Sequence, residues 1–355
     1  MRRKSKEIKI GNLKIGGNSP VTVQSMLSVP SYDIRNNILQ AQKLEAAGCD
    51  ILRVAIPDFK SVKLIETLKQ KVKMPIVADI HFDHKLAIES VYAGADKIRI
   101  NPGNIGNNDK IKELCKVLVS KQTPVRIGVN SGSLERDILR KYGKITPQAM
   151  AESAFCKIKL LENYGVENTV LSLKSSDVVT NVEACKLVAS QCSYPLHLGV
   201  TESGTAFSGT IKSSVGIGGL LLEGIGDTIR VSLTADPLQE VKVGLEILKS
   251  LGLRSQGVTI TSCPTCGRTR IDIVKIANKA EKLLRDYKIN LKVAIMGCVV
   301  NGPGEAKEAD IGITGGDGIG IIFKKGRVIK KVEEKDLLKE LINEIDLMVQ
   351  ENSSC

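Results

Sequence analysis

Short β-branched runs recur along the chain, separated by stretches whose apolar residues fall three and four apart. The runs are VTVQSM from Val21, ILRVAIP from Ile51, PIVADIH from Pro75, KIRINPG from Lys97, PVRIGVN from Pro124, TVLSLKSS from Thr169, PLHLGVTESG from Pro195 and TIRVSLT from Thr228. Helix-period segments such as NNILQAQKLEAAGCD and VEACKLVASQC lie between them, and several end at a glycine placed to cap a helix (Gly48, Gly94, Gly165). Strands alternating with helices build a parallel sheet. Eight such units over about 250 residues predict an α/β fold with an N-terminal (β/α)8 barrel of the TIM type. An open doubly wound sheet is the alternative. It would carry a glycine-rich first turn, and no G-x-G-x-x-G follows the first run.

Polar residues collect along and at the ends of these runs. They are Arg53; Asp79 and His81; Arg99 and Asn101; Arg126 and Asn130; Lys174; Glu202; and Arg230 and Ser232. Residues two apart share one side of a strand, and strand C-termini of a barrel point into the active-site mouth. A charge at the end of one strand usually faces a loop; seven strands in succession are a pattern. Arg53, Arg99, Arg126, Lys174 and Arg230 bring five cations to one mouth, which need a compensating anion. A compact polyanion such as a diphosphate fits, since guanidinium forks hold phosphate oxygens in pairs. Asp79, Glu202 and His81 remain for hydroxyls and proton transfer.

After the helical segment PLQEVKVGLEILKSLGL the pattern changes. Residues 1–253 are therefore expected to form the substrate-binding barrel, and residues 254–355 a small α+β domain. That domain holds Cys263 and Cys266 in SCPTCGRT, and Cys298 in MGCVVNGPGE. A zinc ribbon requires a fourth soft ligand, and all three histidines (His81, His84, His197) lie in the barrel. Glu305 is the nearest ligand-type residue. Three thiolates and a carboxylate suit an iron–sulfur cube with one exchangeable corner; a plain structural zinc site stays open as the other reading. GITGGDGIG lacks the Lys-Ser/Thr of a phosphate-binding loop and reads as a hairpin or tight connection.

Composition narrows the function classes. Aromatics are 3% and tryptophan is absent, which argues against base stacking and so against a zinc-ribbon protein that binds nucleic acid. The C-x3-C-x2-C spacing of radical enzymes is missing, and a pure electron carrier has no use for a cation-lined barrel. Nine cysteines, mostly isolated, fit a reducing compartment better than disulfides. The basic N-terminus has no apolar run behind it, and no stretch is long enough to span a membrane. A cytoplasmic enzyme is expected. The net charge of +12 suits an anionic substrate or an acidic partner.

SCPTCGRT.ID with MGCVVNGPGEA..ADIGI.GG resembles the signature of the 4-hydroxy-3-methylbut-2-enyl diphosphate (HMBPP) synthase family, the IspG/GcpE iron–sulfur enzymes of the methylerythritol phosphate route to isoprenoids, in their bacterial two-domain form. VADIHFDHKLA, KIRINPGNIG, VRIGVNSGSL, LSLKSSDV, HLGVTESG and RVSLTADP are similar to the same family, so the likeness runs through nearly the whole chain. The resemblance implies a [4Fe–4S] cluster on Cys263, Cys266, Cys298 and Glu305. It implies reductive ring opening of 2-C-methyl-D-erythritol 2,4-cyclodiphosphate, with electrons from reduced flavodoxin or ferredoxin. It implies substrate-site roles for Arg53, Asp79, His81, Arg99, Asn101, Arg126, Asn130, Lys174, Glu202, Arg230 and Ser232; Glu202, as proton donor, and Glu305, as the exchangeable ligand, are the candidate catalytic residues. The usual QSMTNT is QSMLSVPSYD here, so Leu27 and Ser28 receive no role; nor does Cys355.

The last barrel helix, about 14 residues, descends roughly 20 Å from the catalytic rim. The chain then leaves at the opposite face, and a head-to-tail homodimer is expected, each cluster domain covering its partner's mouth.

Overall fold

The computed structural model describes residues 2–255, 257–285, 287–298, 306–316 and 318–353. The chain divides into two compact units, Met1–Arg254 and Ser255–Cys355. No described helix is long and apolar enough to cross a membrane.

The first element is a hairpin of Ile8–Ile10 (β1) and Leu13–Ile15 (β2), paired antiparallel. Gly11 supplies the left-handed turn at φ +56°. Alternation buries Ile8, Ile10 and Ile15 against Ile51, Val77 and Val170, residues at the starts of barrel strands. The hairpin therefore plugs the floor of the barrel. Strand reasoning passed over it because each arm is only three residues long.

Eight parallel strands follow: Thr22–Met26 (β3), Ile51–Ala55 (β4), Ile76–Asp79 (β5), Lys97–Ile100 (β6), Val125–Asn130 (β7), Thr169–Lys174 (β8), His197–Leu198 (β9) and Thr228–Ile229 (β10). They hydrogen-bond in the order β8-β7-β6-β5-β4-β3-β10-β9, and a bridge between Leu171 and Leu196 joins the two ends. This is the expected (β/α)8 barrel. The last two strands are shorter than the periodicity suggests, because the chain breaks from the ladder at Gly199. A Cβ there would lie 2.7 Å from both Arg230 O and Lys174 Nζ, so only glycine admits those neighbours.

The outer layer consists of Ile34–Ala46 (α1), Lys63–Lys71 (α2), His84–Tyr92 (α3), Pro102–Ile105 (α4), Asn108–Ser120 (α5), Arg136–Tyr142 (α6), Pro147–Glu162 (α7), Val178–Gln191 (α8), Ala206–Leu222 (α9) and Pro237–Ser250 (α10). Asp33, Asp83, Asn107, Thr146, Asp177 and Asp236 each cap a helix by accepting a backbone N–H from its first turn. Gly48, Gly94 and Gly165 take positive φ after the helices they end. Beyond α10, Arg254 pairs with Asp50 at 2.7 Å, and Asp50 also accepts the Val23 N–H. Since Asp50 precedes β4, the barrel unit ends at its strand-start face.

The second unit contains Val258–Ser262 (β11), Ile273–Leu284 (α11), Leu291–Met296 (β12), Ile311–Gly316 (β13), Ile319–Lys324 (β14), Arg327–Glu333 (β15) and Leu337–Ser353 (α12). Its sheet runs in chain order, with β11, β12 and β13 parallel and β14 and β15 antiparallel. The core packs Val293, Ile295, Ile311, Ile313 and Ile322 with Ile273 and Leu284 and with Leu337, Leu341 and Ile345. The GITGGDGIG segment joins β13 to β14 across their antiparallel pairing.

Candidate active site and thiol cluster

The barrel mouth gathers most of the polar strand-end residues. Arg53, Arg99, Arg126, Asn130, Lys174, Arg230 and Ser232 line a cavity of about 110 Å³, together with Gly128, Ser172 and Thr201. Gly128 is needed for room, since a Cβ there would lie 2.8 Å from Arg99 Nη2.

Asp79 is fully buried and accepts from Arg53 Nη2 at 2.6 Å and Arg99 Nη1 at 3.1 Å, with His81 Nε2 at 3.2 Å. Burial works to raise its pKa, but Arg53, His81 and Arg99 outweigh burial and hold the carboxyl well below the usual range. In this arrangement Asp79 is the counter-ion that Arg53 and Arg99 share.

A second buried carboxylate went unread in the sequence. Glu240, in the first turn of α10, accepts from Arg230 Nη2 at 3.3 Å, the Leu233 N–H at 3.0 Å and Ser25 Oγ at 3.4 Å. It belongs to a helix rather than a strand end, so alternation along strands does not point to it. Lys97 and His197 were also missed. Both are fully buried, and Lys97 Nζ and His197 Nε2 lack hydrogen-bond partners.

Arg126 is buried with Nε and Nη1 unpartnered. Burial, then Arg53 and Arg99, disfavour its charge. Burial, then Arg126, likewise pushes Lys174 and His197 toward their neutral forms. Lysine and histidine can answer by releasing protons; a guanidinium cannot. Four arginines against two buried carboxylates leave two charges that a bound anion would neutralise.

The remaining barrel residues are more peripheral. Half-exposed His81 reaches the cavity wall through Asp79. Asn101 is buried, and its side chain caps α4 at the Gly103 N–H, 3.3 Å away; it is not among the cavity-lining residues. Exposed Glu202 follows the cavity residue Thr201 and holds φ +51°. A non-glycine side chain in that region is strained, which is characteristic of functional loops.

In the second unit, Ser262 and Ile295 are register partners. This sets Cys263 beside the Met296–Cys298 turn, where the Gly297 N–H donates to Cys263 Sγ at 3.2 Å. Thr269 closes the third side: its Oγ1 accepts the Cys266 N–H at 3.1 Å and lies 4.0 Å from Cys266 Sγ. The Arg268 N–H and guanidinium lower the Cys266 thiol from its ordinary value. Cys298 is buried, Cys263 half-buried and Cys266 exposed. Among the described residues no three Cys, His, Asp or Glu side chains are drawn into a metal-holding group. Glu305 lies outside the described residues.

A larger cavity of about 520 Å³ lies on the barrel flank among α4 to α7. Its charged members are satisfied within the wall, as in Lys157–Glu135 at 2.7 Å.

Residues 5–245 match the model of the GcpE TIM-barrel domain, and residues 259–347 that of the GcpE protein C-terminal domain. A 4-hydroxy-3-methylbut-2-en-1-yl diphosphate synthase (flavodoxin) of Caldanaerobacter subterraneus subsp. tengcongensis is 57% identical over 99% of both chains. The protein of the same name from Clostridium acetobutylicum is 54% identical over 98% of this chain and 99% of its own. Among solved structures, 3-dehydroquinate dehydratase from Geobacillus kaustophilus aligns with 70% of this chain and 98% of its own at TM-score 0.50 and 15% identity. That likeness concerns the barrel fold alone.

Proposed function

Because the chain belongs to the GcpE family, we propose that it is an HMBPP synthase. It takes 2-C-methyl-D-erythritol 2,4-cyclodiphosphate, two electrons and two protons, and yields 4-hydroxy-3-methylbut-2-enyl diphosphate and one water. The observation that carries this reading is the charge left over in the barrel mouth. Four arginines face two carboxylates, and a cyclic diphosphate, one ionised group on each phosphorus, supplies the two missing negative charges. Arg126 Nε and Nη1, unpartnered in the wall, are the donors that gain most. Asn130, Lys174 and Ser232 reach the same cavity. Glu202, strained beside Thr201, is the candidate to deliver protons, and His81 and Asn101 flank the bound ring.

Residues 254–355 are the cluster domain in this reading, and residues 1–253 the substrate domain. Cys263, Cys266 and Cys298 stand on adjacent loops, with an N–H aimed at one sulfur and a guanidinium favouring the thiolate of another. That donor set fits a [4Fe–4S] cluster, with Glu305 as its displaceable fourth ligand. Such a cluster supplies electrons one at a time. The donor is reduced flavodoxin, as the relatives' names state, with ferredoxin as the second possibility. The enzyme works in the cytoplasm, where thiols stay reduced. Iron, zinc and acid-labile sulfide, measured per chain after anaerobic purification, test the reading. About four iron and four sulfide are expected. Stoichiometric zinc without sulfide, persisting after reconstitution, would overturn it.

The barrel unit ends at its strand-start face, where Arg254 pairs with Asp50, and the cavity opens at the other face. This supports a head-to-tail homodimer in which the cluster of one subunit serves the partner's mouth. Mixing Cys298→Ser subunits with Arg126→Ala subunits should then recover up to about a quarter of wild-type turnover, since half of a random mixture is heterodimer with one intact site. No recovery of activity once mass spectrometry shows that heterodimers have formed would rule it out.

A further inference from the structure

The residues between Pro264 and Arg285 include six cations and two anions. One of the anions, Asp272, is occupied as the cap of α11. Elsewhere in the unit Lys324, Lys330 and Lys335 are paired with Glu351, Glu340 and Glu333. None of the six has an ion-pair partner among the described residues. Arg268 and Arg270 flank the exposed Cys266 loop. Lys275 and Lys279 stand exposed on the first turns of α11, and Ile273 ties that helix to the thiol turn, lying 3.3 Å from where a Gly297 Cβ would be. Val274 and Leu283, both more than half exposed, add apolar contact on the same helix.

We propose that the exposed flank of α11, with Arg268 and Arg270, is the docking face for the acidic flavoprotein that reduces the enzyme. This rests on the functional reading above. Unpaired cations bordered by single exposed apolar side chains suit a weak, fast-exchanging interface, where charge sets the encounter rate. Position also counts, because electron transfer slows exponentially with distance. β15 also carries unpaired cations but sits three and four strands from β12 and β11, roughly 14 to 19 Å at normal strand spacing. The α11 face abuts the thiol loop itself.

The test is holoenzyme turnover with two electron donors, reduced flavodoxin and a small reduced viologen. The Lys275→Glu/Lys279→Glu variant should lose about tenfold or more of its flavodoxin-driven kcat/KM at low salt, with a flatter salt dependence. Its viologen-driven rate should be unchanged. Arg327→Glu/Lys331→Glu on β15, with the same charge change, should leave both rates near wild type. Unchanged flavodoxin-driven turnover in the α11 variant, or equal losses in both variants, would overturn the docking face. Wild-type enzyme that turns over with neither donor would overturn the functional reading, and the docking face with it.

Discussion

Arg126→Met should make the protein more stable while nearly abolishing its activity. The side chain is buried with two of its nitrogens unpartnered and with Arg53 and Arg99 nearby, so the free enzyme holds a charge it would fold better without. An apolar residue of similar length removes that penalty, and the melting temperature should hold or rise. In the proposed complex, the same nitrogens meet the diphosphate. Truncating one side of a buried charge pair costs about 2–5 kcal/mol, so kcat/KM should fall by roughly 30-fold to several thousandfold. Thermal melting without ligand and steady-state turnover check the two halves. A destabilised variant that keeps its kcat/KM would show that Arg126 is a structural cation.

Asp79→Asn should act in the opposite sense. Arg53 and Arg99 lose their shared counter-ion, and leaving buried charges uncompensated costs about 3–5 kcal/mol. At 2–4 °C per kcal/mol for a domain of this size, the melting temperature should drop by roughly 6–20 °C. Because the folded-state pKa of Asp79 is depressed, its contribution is full above the unfolded-state carboxylate pKa and disappears as pH falls toward the folded value. The gap between wild type and variant should therefore be widest near neutrality and close in acid. Saturating substrate should recover part of the loss, since the diphosphate replaces the missing negative charge. A melting temperature within a degree of wild type at pH 7 would refute the counter-ion role.

The two substitutions also show where sequence reasoning reaches its limit. Arg53, Arg99, Arg126, Lys174 and Arg230 were legible because strand geometry is local: a cation along or at the end of a β-branched run takes its side from the alternation of that run. The state of Asp79 was not legible. It depends on Arg53 and Arg99, 26 and 20 residues away in the chain, and on a neutralisation that only folding brings about. Glu240 was hidden for a related reason, since an acidic residue in a helix's first turn is ordinary, and here it reaches across to Arg230 and Ser25. The hairpin of β1 and β2 carries the right alternation, but three-residue arms fall below the length at which periodicity stands out. In the second unit the cysteine spacing only suggests a metal site, while the register of β11 against β12 shows how residues 34 apart come to share a hydrogen bond.

The floor hairpin has a consequence for traffic through the barrel. With Ile8, Ile10 and Ile15 seated against Ile51, Val77 and Val170, the barrel is a vessel open at one end only. Substrate, product and the water released must all pass through the same doorway. A partner that covers that doorway to shield the chemistry also imprisons what the chemistry makes. In the proposed dimer each turnover would include a lifting of the cover, and the rate of that motion would set a ceiling on kcat however fast the electrons arrive.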